Sequence, residues 1–254
     1  SQTTAGSTVA IGYTAGYSAT TGGYNTSCGA EALYTNITGT NNTAIGFKAL
    51  RADTAANNTS VGYESMVTNT TGSSNVAVGG YALTSMTTGT NNTAVGMQAL
   101  DANTTSHYNT AVGSTAMGAV TTASRNTAVG WTSLSAATTG GSNSAIGDGS
   151  LSGVTTGIQN SAIGYNAGNS ITTGSNNSTL GHDADASAVD VSNEFTLGNA
   201  NISNLRCADT TISTLSDERD KAEIANLPSN AGLDFVNSLR PVTFYWDHRD
   251  WYEG

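Results

Sequence analysis

Near the C-terminal end a serine, Ser216, is followed five positions on by a lysine, Lys221. A serine hydroxyl is a weak nucleophile until a nearby base takes its proton. A lysine can be that base only where burial favours its neutral form. The spacing adds a condition, because residues three and four apart share a helix face and residues five apart do not. The pair therefore needs a non-helical start at Ser216, or a lysine supplied by a neighbouring chain. The competing role is structural: Ser216 caps a helix whose first turn carries Asp217 and Glu218 at its positive end. Elsewhere His107, His182 and His248 stand singly. Asp183, Asp185 and Asp190 lack the glycine and glutamate of a calcium loop. No metal and no cofactor is expected. Cys28 and Cys207 are too few and too far apart for a disulfide framework. Cys28 falls where other repeats carry Ile or Val, so it reads as a small core hydrophobe.

What could position such groups is written in the rest of the chain, which is a repeat. The pattern Asn-Thr-Ala-Ile/Val-Gly recurs, with glycines at 12, 29, 46, 62, 79, 96, 113, 130, 147, 164, 181 and 198. Every interval is 17 residues except Gly46 to Gly62, which is 16. An Asn precedes the glycine by four, as at Asn42 and Asn92, and Leu or Met follows it by four, as at Leu50 and Leu100. A second glycine, often in Thr-Thr-Gly, follows by ten.

Thr-Ala-Ile is a short β run, and the glycine and Thr-Thr-Gly-x-Asn stretches are turn chemistry. Thr, Asn and Gly are poor helix formers and the apolar spacing is not 3.6. Each repeat thus predicts one coil of an all-β solenoid, or β-roll, with coils stacked at ~4.8 Å, so the eleven intervals span roughly 53 Å. The expected ladders are Asn42 with Asn92, Ile45 with Val95, Gly46 with Gly96, and Leu50 with Leu100. Alternation puts Thr and Ile on one face and Ala on the other. The apolar Ile/Val column is expected to face the core, leaving the Ala column for close approach by another chain. A narrow roll buries too little apolar surface to order its own residues, so association is expected.

Composition narrows the partners. Only 10% of residues are charged and the net charge is −10, so no basic patch meets nucleic acid. No apolar run is long enough to span a membrane. The N-terminus shows no signal-peptide pattern. After Gly198 the character changes: residues 216–254 hold 12 of the 26 charged residues, both prolines and two of the three tryptophans. The expected organisation is a shaft over 1–204, a transition over 205–215, and a small α+β segment over 216–254. In that segment 222–227 and 233–239 read as short helices and 240–246 as a strand.

The stretches Asn42-Thr43-Ala44-Ile45-Gly46, Asn92-Thr93-Ala94-Val95-Gly96 and Asn160-Ser161-Ala162-Ile163-Gly164 resemble the YadA-like β-roll head repeats of trimeric autotransporter adhesins. They look even more like shaft repeats of phage tail fibres. The 17-residue period departs from the shorter adhesin period, so the adhesins' binding faces do not carry over. The order Ser-Asp-x-x-x-Lys, then Gly-Leu-Asp-Phe-Val-Asn-Ser-Leu-Arg-Pro-Val-Thr-Phe-Tyr-Trp, resembles the intramolecular chaperone domain that ends phage endosialidase tailspikes and fibres. That resemblance implies a homotrimeric rod. It also implies a domain that guides folding and then cuts the Leu215–Ser216 bond, with Ser216 as nucleophile and Lys221 as base. The family domain is longer than the 39 residues present, so it reads as incomplete.

The function so implied is a structural, adhesive tail fibre on the virion, outside the cell. Its expected partners are a host cell-surface receptor, with glycan as one form, and other tail proteins; nucleic acid is not among them. Any enzymology is a single self-cleavage. The alternative is a bacterial trimeric surface adhesin, and an ice-binding solenoid is disfavoured because the Thr-Thr pairs lapse at Ala55-Ala56.

Overall fold

The computed structural model describes residues 6–204. Ser216, Lys221, Leu215 and the expected helices and strand of the C-terminal segment lie outside the described residues, as do Cys207 and His248. The chain divides into two units, Ser1–Ser203 and Asn204–Gly254, and the account below concerns the first.

Among the described residues there are twelve strands of three residues each, from β1 (Val9–Ile11) to β12 (Phe195–Leu197), and no helix. They form one parallel sheet in strict sequence order. The chain is therefore an all-β parallel solenoid, one coil per repeat. A parallel pair needs a connection of about a dozen residues, and the 14 residues left in each 17-residue coil supply it. Register never slips: Thr43, Ala44 and Ile45 pair with Thr59, Ser60 and Val61, and Thr93, Ala94 and Val95 with Thr110, Ala111 and Val112. The missing residue of the 16-residue coil is absorbed in a turn, as described below.

The ladder positions divide by role. Asn92 is fully buried; its Oδ1 accepts the Asn109 N–H of the next coil at 3.1 Å, and its Nδ2 donates to Ser106 O at 2.8 Å. Asn42 does the same toward Asn58 N and Ala55 O, both at 2.8 Å. Each amide thus ties its own coil to the next and braces the strand corner against the far turn. Left unpaired, such a group would cost about 1–3 kcal/mol.

Leu50 and Leu100 are fully buried, yet both have φ near +50°. The left-handed region costs an ordinary residue about 1–2 kcal/mol, which the ~2–3 kcal/mol from burying a large apolar side chain offsets. A β-branched residue tolerates that region least. This explains why the position, wherever it takes that φ, reads Leu or Met, or Gly at Gly16 and Gly168; Asp185 and Ile202, which stand there in the last two coils, have no positive φ. Gly46 and Gly96, at φ 134° and 138°, are forced. A Cβ on either would lie well under 3 Å from the carbonyl of the next ladder glycine.

The facing of the strands corrects the sequence reading. Thr and Ile do share one face, but it is the outer one. Ala44 and Ala162 are fully buried, whereas Ile45 is 41% and Ile163 51% exposed. Val95 and Cys28 are only partly buried, so Cys28 is not a core residue. The reason is volume. Leu or Met from the opposite wall already fills the lumen, joined in several coils by Met86, Val120, Val154 or Ile171. A branched residue facing them would overpack it, so the position is Ala or Ser in most coils, and the buried Thr179 packs where Gly168 takes the place of the large residue.

Candidate functional site

The structure places no expected catalytic residue, because Ser216 and Lys221 lie outside what it describes. It does show how the solenoid presents side chains. Within each coil the residue just after the ladder glycine stands on a surface column. Reading along it gives Tyr13, Ala30, Phe47, Tyr63, Gly80, Met97, Ser114, Trp131, Asp148, Tyr165 and His182. Small residues fill some rungs, so folding makes no demand there.

Rings on this surface stand across the column and stack along it. Phe47 and Tyr63 lie 5.3 Å apart, and Tyr165 and His182 lie 5.2 Å apart at 19°. Lys48 Nζ sits 4.8 Å from the Phe47 ring centroid. A second stack joins Tyr17 and Tyr34 at 5.2 Å, with Arg51 over Tyr34 and its Nε 2.6 Å from Glu31 Oε2. The repeat motif itself does not announce this column. Aligning the coils on their glycines exposes it.

One buried ionisable group was also missed. Asp53 is fully buried in the coil that has 16 residues. It stands on an inward column with Asn36, Asn69, Met86, Asn103 and Val120. Asn36, Asn69 and Asn103 each use Oδ1 to accept the N–H three residues ahead. Asp53 accepts the N–H of Ala55, only two ahead, at 3.1 Å. That tighter turn takes up the missing residue, and Ala55 O serves where a second glycine serves elsewhere. Asn69 Nδ2 also donates to Asp53 Oδ1 at 2.8 Å, and Asn58 Nδ2 approaches at 3.4 Å. Burial raises the carboxyl pKa from 3.8 to about 7, against the pull of the backbone donor and the two amides.

The remaining singled-out residues sit apart. His107 Nδ1 accepts the Thr90 N–H at 3.0 Å, and His182 Nδ1 lies 3.0 Å from Asp183 Oδ2. Asp185 takes the Ser170 N–H at 3.2 Å. Among the described residues no group of three His, Cys, Asp or Glu side chains could hold a metal ion, and no helix is long and apolar enough to cross a membrane.

No curated protein and no solved structure matches the chain. Residues 216–253 match the family described as chaperone of endosialidase, the segment that opens at Ser216 and includes Lys221. A parallel β-solenoid followed by a segment that matches that chaperone family fits a fibre of the phage-tail type.

Proposed function

We propose that the chain is the shaft of a homotrimeric phage tail fibre, carried on the virion and presenting a receptor-binding end to the host surface. In this reading residues 216–254 begin a chaperone that assembles the trimer and cuts Leu215–Ser216. The observation that carries it is the outward stripe: Ile11, Ile45, Val78, Val112, Val129, Ile146, Ile163, Leu180 and Leu197 are all at least a third exposed in a single chain. They lie on one register-locked face, roughly 53 Å long. A continuous apolar stripe of that length in water marks an interface. Because every rung repeats the same chemistry, another copy of the same stripe is its best partner, and three copies bury it around one axis. The chaperone segment favours a phage fibre over a bacterial surface adhesin.

The test is the mass in solution. Light scattering should give three times the 25.6 kDa of one chain. Ile45→Asp and Ile163→Asp together should lower that mass while each released chain keeps its β signal, since these residues face outward and fill no lumen. A full-mass trimer in the double variant would refute the stripe as the interface.

A further inference from the structure

The surface column carries one arrangement that neither the fold nor association calls for. Trp131, Asp148 and Tyr165 occupy successive rungs. The backbone holds them in register: the Gly149 N–H donates to Trp131 O at 3.0 Å and the Asn166 N–H to Asp148 O at 2.8 Å. Trp131 is 60% and Tyr165 49% exposed. One face of Tyr165 is covered by His182, so its other face looks toward the Asp148 rung. Trp131 stacks on no other described ring. Between the two rings Asp148 is half-buried, and its carboxylate takes no hydrogen bond or ion pair among the described residues. Beside it the buried Gly149 stands where other coils carry Lys48, Glu64, Tyr81 or Gln98, and the Asn166 side chain takes up the room, its Oδ1 lying well under 3 Å from where a Cβ would be. Two exposed rings on alternate rungs thus flank an unpartnered carboxylate on the rung between them, a notch on the surface column.

We propose that this notch binds a quaternary ammonium group of the choline type. Two rungs separate the ring planes by ~9.6 Å, which puts the midpoint ~4.8 Å from each. That is within the ~6 Å at which a cation is drawn to a ring face, and it equals the distance at which Lys48 Nζ already lies from Phe47 on this column. A methylated ammonium suits the site better than a bare one, since it is weakly hydrated and its methyl groups reach both rings at once. Asp148 supplies the opposite charge. A sugar ring laid flat needs contact at ~3.5–4.0 Å, so it could touch only one wall. The proposal uses residues of one chain.

The experiment titrates the full-length chain with choline and reads saturation transfer to the ligand's methyl protons by NMR. An affinity on the order of 1 mM is expected for so small a ligand. Its neutral carbon isostere, 3,3-dimethylbutan-1-ol, should bind at least ~10-fold more weakly, because it keeps the shape and loses the cation–π attraction. Trp131→Ala and Tyr165→Ala should each weaken choline binding ~10-fold or more, and Trp131→Phe should retain most of it. Asp148→Asn should weaken binding several-fold and abolish its salt dependence. Phe47→Ala, on the same column, should change nothing. The proposal is overturned if choline fails to bind, if Trp131→Ala binds it unchanged, or if the isostere binds equally well. It is equally overturned if methyl glycosides, and not choline, give a Trp131-dependent signal. Since the trimer mass is a separate readout, failure here leaves the fibre reading standing.

Discussion

Asp53→Asn is the substitution whose outcome separates the forces inside the solenoid. The carboxyl is fully buried and its pKa stands at about 7 instead of 3.8. A raised pKa means that the folded chain holds this proton more tightly than the unfolded chain. Its stability contribution is therefore complete below pH ~4, declines as pH rises, and is gone above pH ~7. Three units of displacement correspond to about 4 kcal/mol per chain at the alkaline limit. Asparagine removes the titration. Its Oδ1 can still take the Ala55 N–H, as the amides of Asn36, Asn69 and Asn103 take theirs. At pH 8 the variant should then be more stable than the parent by up to about 4 kcal/mol. For a solenoid of about 200 residues that is about 10 °C in Tm. At pH 4.5 the two should melt nearly together. Thermal melts followed by circular dichroism at the two pH values decide it. Because all other titrating groups are common to both proteins, only the difference between them is read. A variant that melts with the parent at both pH values, or below it at pH 8, would refute the argument that burial outweighs the three donors.

Three further outcomes follow from named contacts. Gly96→Ala should cost more than 3 kcal/mol and abolish the folded yield, because its Cβ would drive into Gly113 and φ is 138°; soluble expression and β signal report it. Leu100→Met should cost under ~1.5 kcal/mol while Leu100→Ile costs clearly more at equal volume, since only the branched residue resists φ near +52°; denaturant midpoints rank them. In a chain carrying the complete C-terminal domain, the Leu215–Ser216 bond should break without added protease. Ser216→Ala, Lys221→Ala and Lys221→Arg should each leave it intact, arginine because it stays charged. Mass spectrometry finds the cut, and cleavage at the same bond in Ser216→Ala would remove serine from the mechanism.

The repeat was legible because folding a coil leaves few options at certain positions. Only Gly accepts φ near +138°, and only an amide can accept from the next coil and donate across its own, so Gly96 and Asn92 keep their phase and announce a solenoid. The same reasoning could not tell in from out. Alternation fixes that Ala44 and Ile45 point oppositely, but not which of them meets the lumen. Hydrophobicity alone favours Ile. What reverses it is the volume already taken by Leu50 and its neighbours, a three-dimensional quantity absent from period-two logic. The Asp53 site was half-written, since the single 16-residue interval marks its coil. That a carboxylate rather than an amide makes the shortened turn became meaningful only once its burial was seen.

The reversal also moves the argument for association onto firmer ground. With Ile inside, association rested only on how little apolar surface a narrow roll buries, with the small Ala column as the contact face. With Ala inside, the lumen is filled by residues such as Leu100 and Met117, and the column left over is the apolar one. The same steric rule that keeps the lumen to Ala or Ser in most coils thus assigns Ile, Val and Leu to the surface. Ile, Val or Leu stands there on nearly every rung, and in the proposed trimer that column is the contact between chains. Substitution on that column should therefore act on assembly before it acts on folding, whereas substitution of Ala94 by Val, one residue away, should act on folding alone.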